Sequence, residues 1–353
     1  MGAALIGLPV AATSSEVANN EATNAEVYFL TILIGLLSQQ WPSRLRAPDP
    51  RATHKARPTA VNQRHAALAL RPNLPISSIQ ALNIYAATRW RFRKEDLRLA
   101  NEYALITGST AGIGAAIAIE FALEGAQVVV HGRNEKRGAA VVEKIVAAGG
   151  KAVFIAADLS TNSASEDLVT GAVKAMGQLT ILVNNAVAEV VDGADSSIAT
   201  MDTTSWEATM KVNATVPMEL CRAAIGPMRS AGHGSIINIS SRQAERPSAG
   251  LAAYAASKGA LNALTRAIAV EEANNQIRAN TISPGFILND QRDADIADDR
   301  RALLEAMHLT RLGQARDVAL AAVYLASSES GFVTGINLQL DGGSSNARAA
   351  SLG

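Results

Sequence analysis

Residues 107–114 read TGSTAGIG, and the reading of these eight positions decides the fold. They follow a short apolar run, YALIT (103–107), and open a segment of helical period. Gly108 permits a tight turn off a strand, while Gly112 and Gly114 let a helix begin close to the sheet. Such a turn aims free backbone N–H groups and the positive end of the helix dipole at a diphosphate. The spacing is Gly-x-x-x-Gly-x-Gly rather than the commoner Gly-x-Gly-x-x-Gly, so position between strand and helix carries the argument, not the glycines alone.

Working outward, short runs rich in β-branched residues alternate with helical patterns. VVVH (128–131), AVFIA (152–156), TILVN (180–184), SIINIS (235–240), IRANTIS (277–283) and INLQL (336–340) join the first run as seven candidate strands. Strand–helix alternation predicts right-handed crossovers and a parallel sheet covered on both faces, a doubly wound Rossmann-type α/β domain. The end of the second strand selects the nucleotide. An acid there would accept hydrogen bonds from the adenosine ribose and favour NAD. Here HGRN (131–134) supplies Arg133 and no acid. A guanidinium pairs with a 2′-phosphate, so NADP(H) is the expected cofactor and NAD(H) the alternative.

The bulk numbers suit that frame. The chain has 353 residues, 48% hydrophobic and 18% charged, with Lys+Arg and Asp+Glu balanced at 32 each. No global field draws nucleic acid or an anionic membrane, and no Cys/His spacing suggests zinc. A single cysteine, Cys221, fits a reducing, cytoplasmic setting. The first 95 or so residues differ in composition. Residues 1–43 lack Lys and Arg, whereas Arg44 to Lys94 holds eleven of them against one acid, Asp49. VYFLTILIGLL (27–37) is well short of the ~20 residues of a membrane span. The division expected is an N-terminal extension over 1–95, a catalytic domain over 96–345 and a tail over 346–353. A basic extension acting as a transit segment would make the protein organellar instead. RWRFRK (89–94) reads as a solvated approach to the first strand, and DADIADD (293–299) as the acidic start of a helix.

Further motifs fall in order: ADL (157–159), NNA (184–186), KVN (211–213), INISS (237–241), YAASK (254–258) and SPG (283–285). With TGSTAGIG, this series resembles the short-chain dehydrogenase/reductase family, including its 3-oxoacyl-carrier-protein reductases, over roughly residues 95–345. The resemblance implies strand order 3-2-1-4-5-6-7 and a homotetramer packed through long helices. It also implies a catalytic set of Asn213, Ser241, Tyr254 and Lys258. Nucleotide contacts would come from Gly108, Ser109, Thr110, Gly112, Ile113 and Gly114 in the glycine turn. Arg133, Asn134, Asp158 and Leu159 would follow at the adenosine end, with Asp158 on the adenine amino group. Asn185, Ala186, Tyr254, Lys258, Pro284, Gly285, Ile287 and Asn289 would serve the nicotinamide end. Two positions depart from the family pattern: Val187 stands where glycine is usual, and Asn289 where threonine is frequent.

Tyr254 and Lys258 are one helical turn apart and share a face. A free phenol, with a pKa near ~10, exchanges protons poorly at neutral pH. An ammonium one turn away, with the charge of oxidised nicotinamide, is expected to lower that pKa. Tyr254 then acts as the general acid/base on a ketone or secondary alcohol, and Ser241 stabilises the developing alkoxide. By resemblance, Lys258 holds the nicotinamide ribose and Asn213 a water beside it. Ser241, Gln243 and Tyr254 are the expected substrate contacts. No metal is expected. The rival reading is a nucleotide sensor or assembly protein without turnover, against which the intact acid–base set argues. Epimerisation or dehydration would need more substrate-binding chain than 286–312 offers.

Overall fold

The computed structural model describes residues 97–188, 196–289, 293 and 295–346. The extension over 1–95 and nearly all of the tail lie outside the described residues. Seven parallel strands form one sheet: β1 (Tyr103–Ile106), β2 (Gln127–Gly132), β3 (Lys151–Ala156), β4 (Ile181–Asn184), β5 (Gly234–Ile239), β6 (Ile277–Pro284) and β9 (Asn337–Leu340). Their order is β3-β2-β1-β4-β5-β6-β9. All seven coincide with the apolar runs of the sequence to within a residue or two. A separate parallel pair, β7 (Ile287–Leu288) with β8 (Gly313–Gln314), was not anticipated. Two-residue strands carry no periodicity to read.

The helices are α1 (Gly112–Leu123), α2 (Glu135–Ala147), α3 (Ala164–Met176), α4 (Thr203–Met210), α5 (Val216–Ala231), α6 (Ala252–Glu271), α7 (Asp298–Ala306) and α8 (Ala315–Ala326). Because side chains alternate across a strand, the sheet feeds two cores. Ala104 and Ile106 face one with Ile117, Phe121, Val141, Val318 and Val323, from α1, α2 and α8. Leu105 and Leu182 face the other with Leu168, Leu220, Met228 and Ile268, from α3, α5 and α6. Each fully buried Leu, Ile or Phe stabilises the fold by roughly 1.5–3 kcal/mol, against roughly 0–1 kcal/mol for an exposed pair such as Arg301–Glu305. Packing, not surface charge, therefore holds the frame.

A five-residue π-helical turn, Lys211–Thr215, interrupts the passage from α4 to α5. Such turns are rare and concentrate at functional sites; this one contains the buried Asn213. The strand order reverses at β1, which pairs with β2 on one side and β4 on the other. That reversal opens a crevice outside the carboxyl ends of the strands, the place where open α/β sheets bind ligands.

Candidate active site

The crevice is a cleft of about 730 Å³. Its glycine turn is built from left-handed backbone: φ is +63° at Gly108 and +53° at Gly112. A Cβ on Gly108 would lie 2.9 Å from the Ala186 Cα, so the turn and the end of β4 approach as only glycine allows. Thr107 locks the two together. Its Oγ1 accepts the N–H groups of Asn185 at 3.0 Å and Ala186 at 3.1 Å. The Asn185 amide returns two bonds, Nδ2 donating to the Thr107 and Gly108 carbonyls at 2.9 and 3.0 Å.

No side chain caps α1 at Ala111, so its first-turn N–H groups have no capping acceptor of the kind a helix start requires. Gly112 and Ile113 border the cleft at that point. Together with the positive helix end, this is an arrangement a diphosphate fits. Asn289 approaches from the opposite wall, its Nδ2 lying 3.5 Å from where a Gly112 Cβ would stand. It thus reaches the glycine turn, although the resemblance assigns it to the nicotinamide end.

At the end of the cleft expected to take the adenosine, the lining is Arg133, Arg137, Asp158 and Leu159. Arg137, one turn into α2, was missed in the sequence because its position follows from the helix start. Asn134 is that start: its Oδ1 accepts the Arg137 N–H at 2.9 Å, making it a helix cap, absent from the cleft lining. The Asp158 carboxylate accepts from Ser160 N–H and Oγ at 3.0 and 2.8 Å, which holds its pKa below the usual value. Two expected nucleotide residues sit beneath the surface. Ser109 donates N–H to the His131 carbonyl and Oγ to the Ile106 carbonyl, tying the turn to β2. Gly114 lies off the cleft; a Cβ there would strike Gly108 and Ser109, so it serves close packing of helix on strand.

At the other end Ser241, Tyr254 and Lys258 border one space. The Ser241 hydroxyl hydrogen-bonds the Tyr254 phenol. Lys258 is buried, at 4% exposure, with Nζ donating to the Ile239 carbonyl at 2.9 Å and lying 5.6 Å from the Tyr254 ring centroid. Burial pulls its pKa down to about 8. The expected depression of the tyrosine pKa is corrected here: burial raises it, and the Ser241 hydrogen bond opposes that rise. Desolvation is the larger of the two effects.

Asn213 fixes the surrounding backbone. Its Oδ1 accepts the Ala188 N–H at 2.8 Å, and its Nδ2 donates to Ser257 Oγ at 3.1 Å; Ser257 Oγ in turn donates to the Tyr254 carbonyl at 2.7 Å. Gln243 is turned away: Nε2 donates to Ser248 Oγ and Oε1 accepts the Ser248 N–H. Its amide is committed to its own loop and is not part of the cleft lining, contrary to the expected substrate contact. Val187, 49% exposed, borders the cleft with a negative φ, so the backbone at this position does not demand glycine. Pro284, Gly285, Phe286 and Ile287 form the far wall. A Cβ on Gly285 would lie 2.8 Å from the Asp341 Cα, so this wall is built against the segment after β9.

Residues 108–345 match the family described as enoyl-(acyl carrier protein) reductase. A 2,5-dichloro-2,5-cyclohexadiene-1,4-diol dehydrogenase of Sphingobium indicum is 38% identical over 247 residues, 70% of this chain and 97% of the relative. A 3-oxoacyl (acyl-carrier-protein) reductase of Agrobacterium tumefaciens, solved with NADP bound, superposes with a TM-score of 0.66 at 31% identity, covering 72% of this chain and 98% of that one. A 7α-hydroxysteroid dehydrogenase, solved with NADH and 7-oxo glycochenodeoxycholic acid, does so with a TM-score of 0.66 at 33% identity, covering 71% and 97%. The chain belongs to the short-chain dehydrogenase/reductase family, enzymes that act on CH–OH and carbonyl groups with a nicotinamide nucleotide. Among the described residues no helix is long and apolar enough to cross a membrane, and no group of His, Cys, Asp or Glu could hold a metal.

Proposed function

We propose that the protein is an NADP(H)-dependent oxidoreductase that interconverts an uncharged ketone and its secondary alcohol, with Tyr254 as general acid/base. The observation that carries this reading is the convergence of Ser241, Tyr254 and Lys258 on one wall of the cleft. When bound, the nicotinamide nucleotide supplies or accepts the hydride. The Gly108–Ile113 turn and Asn289 would hold its diphosphate, Asp158 and Leu159 its adenine, and Lys258 with Pro284 to Ile287 its nicotinamide end. Arg133 and Arg137 supply the cationic edge that suits a 2′-phosphate.

In reduction the phenol of Tyr254 gives its proton to the carbonyl oxygen, while the Ser241 hydroxyl donates a hydrogen bond to the same atom. A phenol with a raised pKa is fully protonated at neutral pH, as an acid must be before it acts. Lys258, with its pKa near 8, both carries charge at neutral pH and can release a proton. In this reading Lys258 returns a proton to the phenolate. Val187, Val212 and Phe286 give the cleft an apolar lining, which favours an apolar carbonyl compound over a highly charged one. The same reading carries a homotetramer in the cytoplasm, to be checked by sedimentation and by fractionation.

The test is NADPH consumption over a panel of cyclic ketones, keto esters and sugars, with native protein and Tyr254→Phe. Turnover of one class by the native protein alone, with both proteins binding NADPH, supports the reading. Equal turnover by the variant refutes it.

A further inference from the structure

His131, at the end of β2, has no part in the chemistry above, yet it is 3% exposed and all four of its polar groups are engaged. Its N–H donates to Ser109 Oγ at 2.9 Å, and its carbonyl accepts the Ser109 N–H at 2.8 Å. On the ring, Nδ1 faces the Gly108 N–H at 3.2 Å and Nε2 faces the Ala157 carbonyl at 3.2 Å. An amide N–H only donates and a carbonyl only accepts. These two partners therefore select one ring state, neutral with the proton on Nε2. Burial acts in the same direction, pushing the ring pKa down to about 4.

The two partners belong to opposite sides of the nucleotide end of the cleft. Gly108 is the first residue of the left-handed phosphate turn, and the orientation of its peptide sets where the following N–H groups point. Ala157 immediately precedes Asp158 and Leu159 at the adenosine end, and both ring partners border the cleft. We propose that His131 is a positioning residue for nucleotide binding, its neutral ring tying the phosphate turn to the end of β3. The proposal rests on the reading of this cleft as the nucleotide site. An aliphatic side chain of similar size would fill the space but leave the Gly108 N–H and the Ala157 carbonyl without these partners. Asparagine would keep an acceptor near the Nδ1 position and lose only the link to Ala157.

The experiment compares full-length native protein, His131→Asn and His131→Leu by calorimetric titration with NADP+ and with NAD+ at pH 7.5, thermal melts establishing that each is folded. We expect His131→Leu to weaken both nucleotides by about tenfold or more and His131→Asn to stay within about threefold of native. The factor is expected to be the same for the two nucleotides, because the effect falls on the turn that both share. In turnover the nucleotide KM rises, while kcat and the ketone KM stay within about twofold. Nitrogen chemical shifts of the native ring, which need no variant, are expected to report the Nε2–H tautomer at pH 7 and no protonation down to about pH 5. Leu and native proteins binding both nucleotides equally well would overturn the proposal alone, as would an Nδ1–H tautomer. A native protein that binds neither nucleotide would overturn the reading of the cleft, and the proposal with it.

Discussion

At the phosphate-turn end of the cleft, side chains turn away from the space they border; at the Tyr254 end they turn into it. Thr107, Ser109, His131 and Asn185 spend their side-chain polar atoms on nearby backbone, and the glycines of the turn border the cleft. At the other end a phenol, a hydroxyl and a buried ammonium share one wall. The difference suits the roles proposed for the two ends. Holding a diphosphate needs N–H groups at fixed positions, which backbone supplies once it is locked. Moving a proton needs groups whose proton affinity the surroundings can shift, which only side chains offer.

The comparison breaks most sharply at Tyr254. Tyr254→Phe is expected to lower kcat by about 10³-fold, with NADPH affinity within about twofold, read from steady-state rates and fluorescence titration. The reciprocal change is Gly108→Ala. A Cβ 2.9 Å from the Ala186 Cα, at φ +63°, has no room and the wrong backbone. We expect nucleotide affinity to fall by about 10²-fold and thermal stability with it, by roughly 1–3 kcal/mol. Arg133→Ala or Arg137→Ala should weaken NADP+ by about tenfold and leave NAD+ within about twofold. Equal losses for the two nucleotides would remove the 2′-phosphate assignment.

Lys258 sharpens the comparison from the side of stability. Its folded pKa, about 8, lies below the unfolded value of 10.5. Between those values the unfolded chain binds more protons, so stability contributed at this site rises with pH from about 8 to 10.5; below 8 the buried ammonium is a standing cost. Lys258→Met is therefore expected to abolish turnover yet match or exceed the native protein in ligand-free stability at pH 7, by up to about 3 kcal/mol. The gap should close as pH approaches 10, as denaturant melts would report. The smallest effect is expected at Val187. Because its φ is already ordinary, Val187→Gly should change nucleotide affinity by no more than about threefold, and a larger gain would mean that the side chain obstructs the site.

Much of this was legible beforehand. Seven apolar runs became the seven strands because buried parallel strands must be continuously apolar, and their order followed from the family motifs. The position of Tyr254 and Lys258 on one helix face was likewise readable, since helical spacing is local. The pair β7 and β8 was not, because two-residue strands have no pattern. Ser109, Asn134 and Gln243 were assigned to ligands from their places in motifs, yet each donates or accepts within its own loop or helix start. A motif gives the position of a residue; the direction of its side chain depends on partners such as Ser248 and His131 that the motif does not include.

The amino-acid sequence by itself determined the doubly wound sheet, the glycine turn and the residues that can carry acid–base chemistry. These depend on periodicity, on backbone freedom at glycine and on fixed spacing along a helix. Tertiary structure alone decided that burial raises the Tyr254 pKa, that Lys258 is pulled to about 8 and that a neutral His131 joins two walls of the cleft. Proton affinity and hydrogen-bond direction depend on what surrounds a group in space, and for these groups the surroundings come from strands and helices remote in the chain.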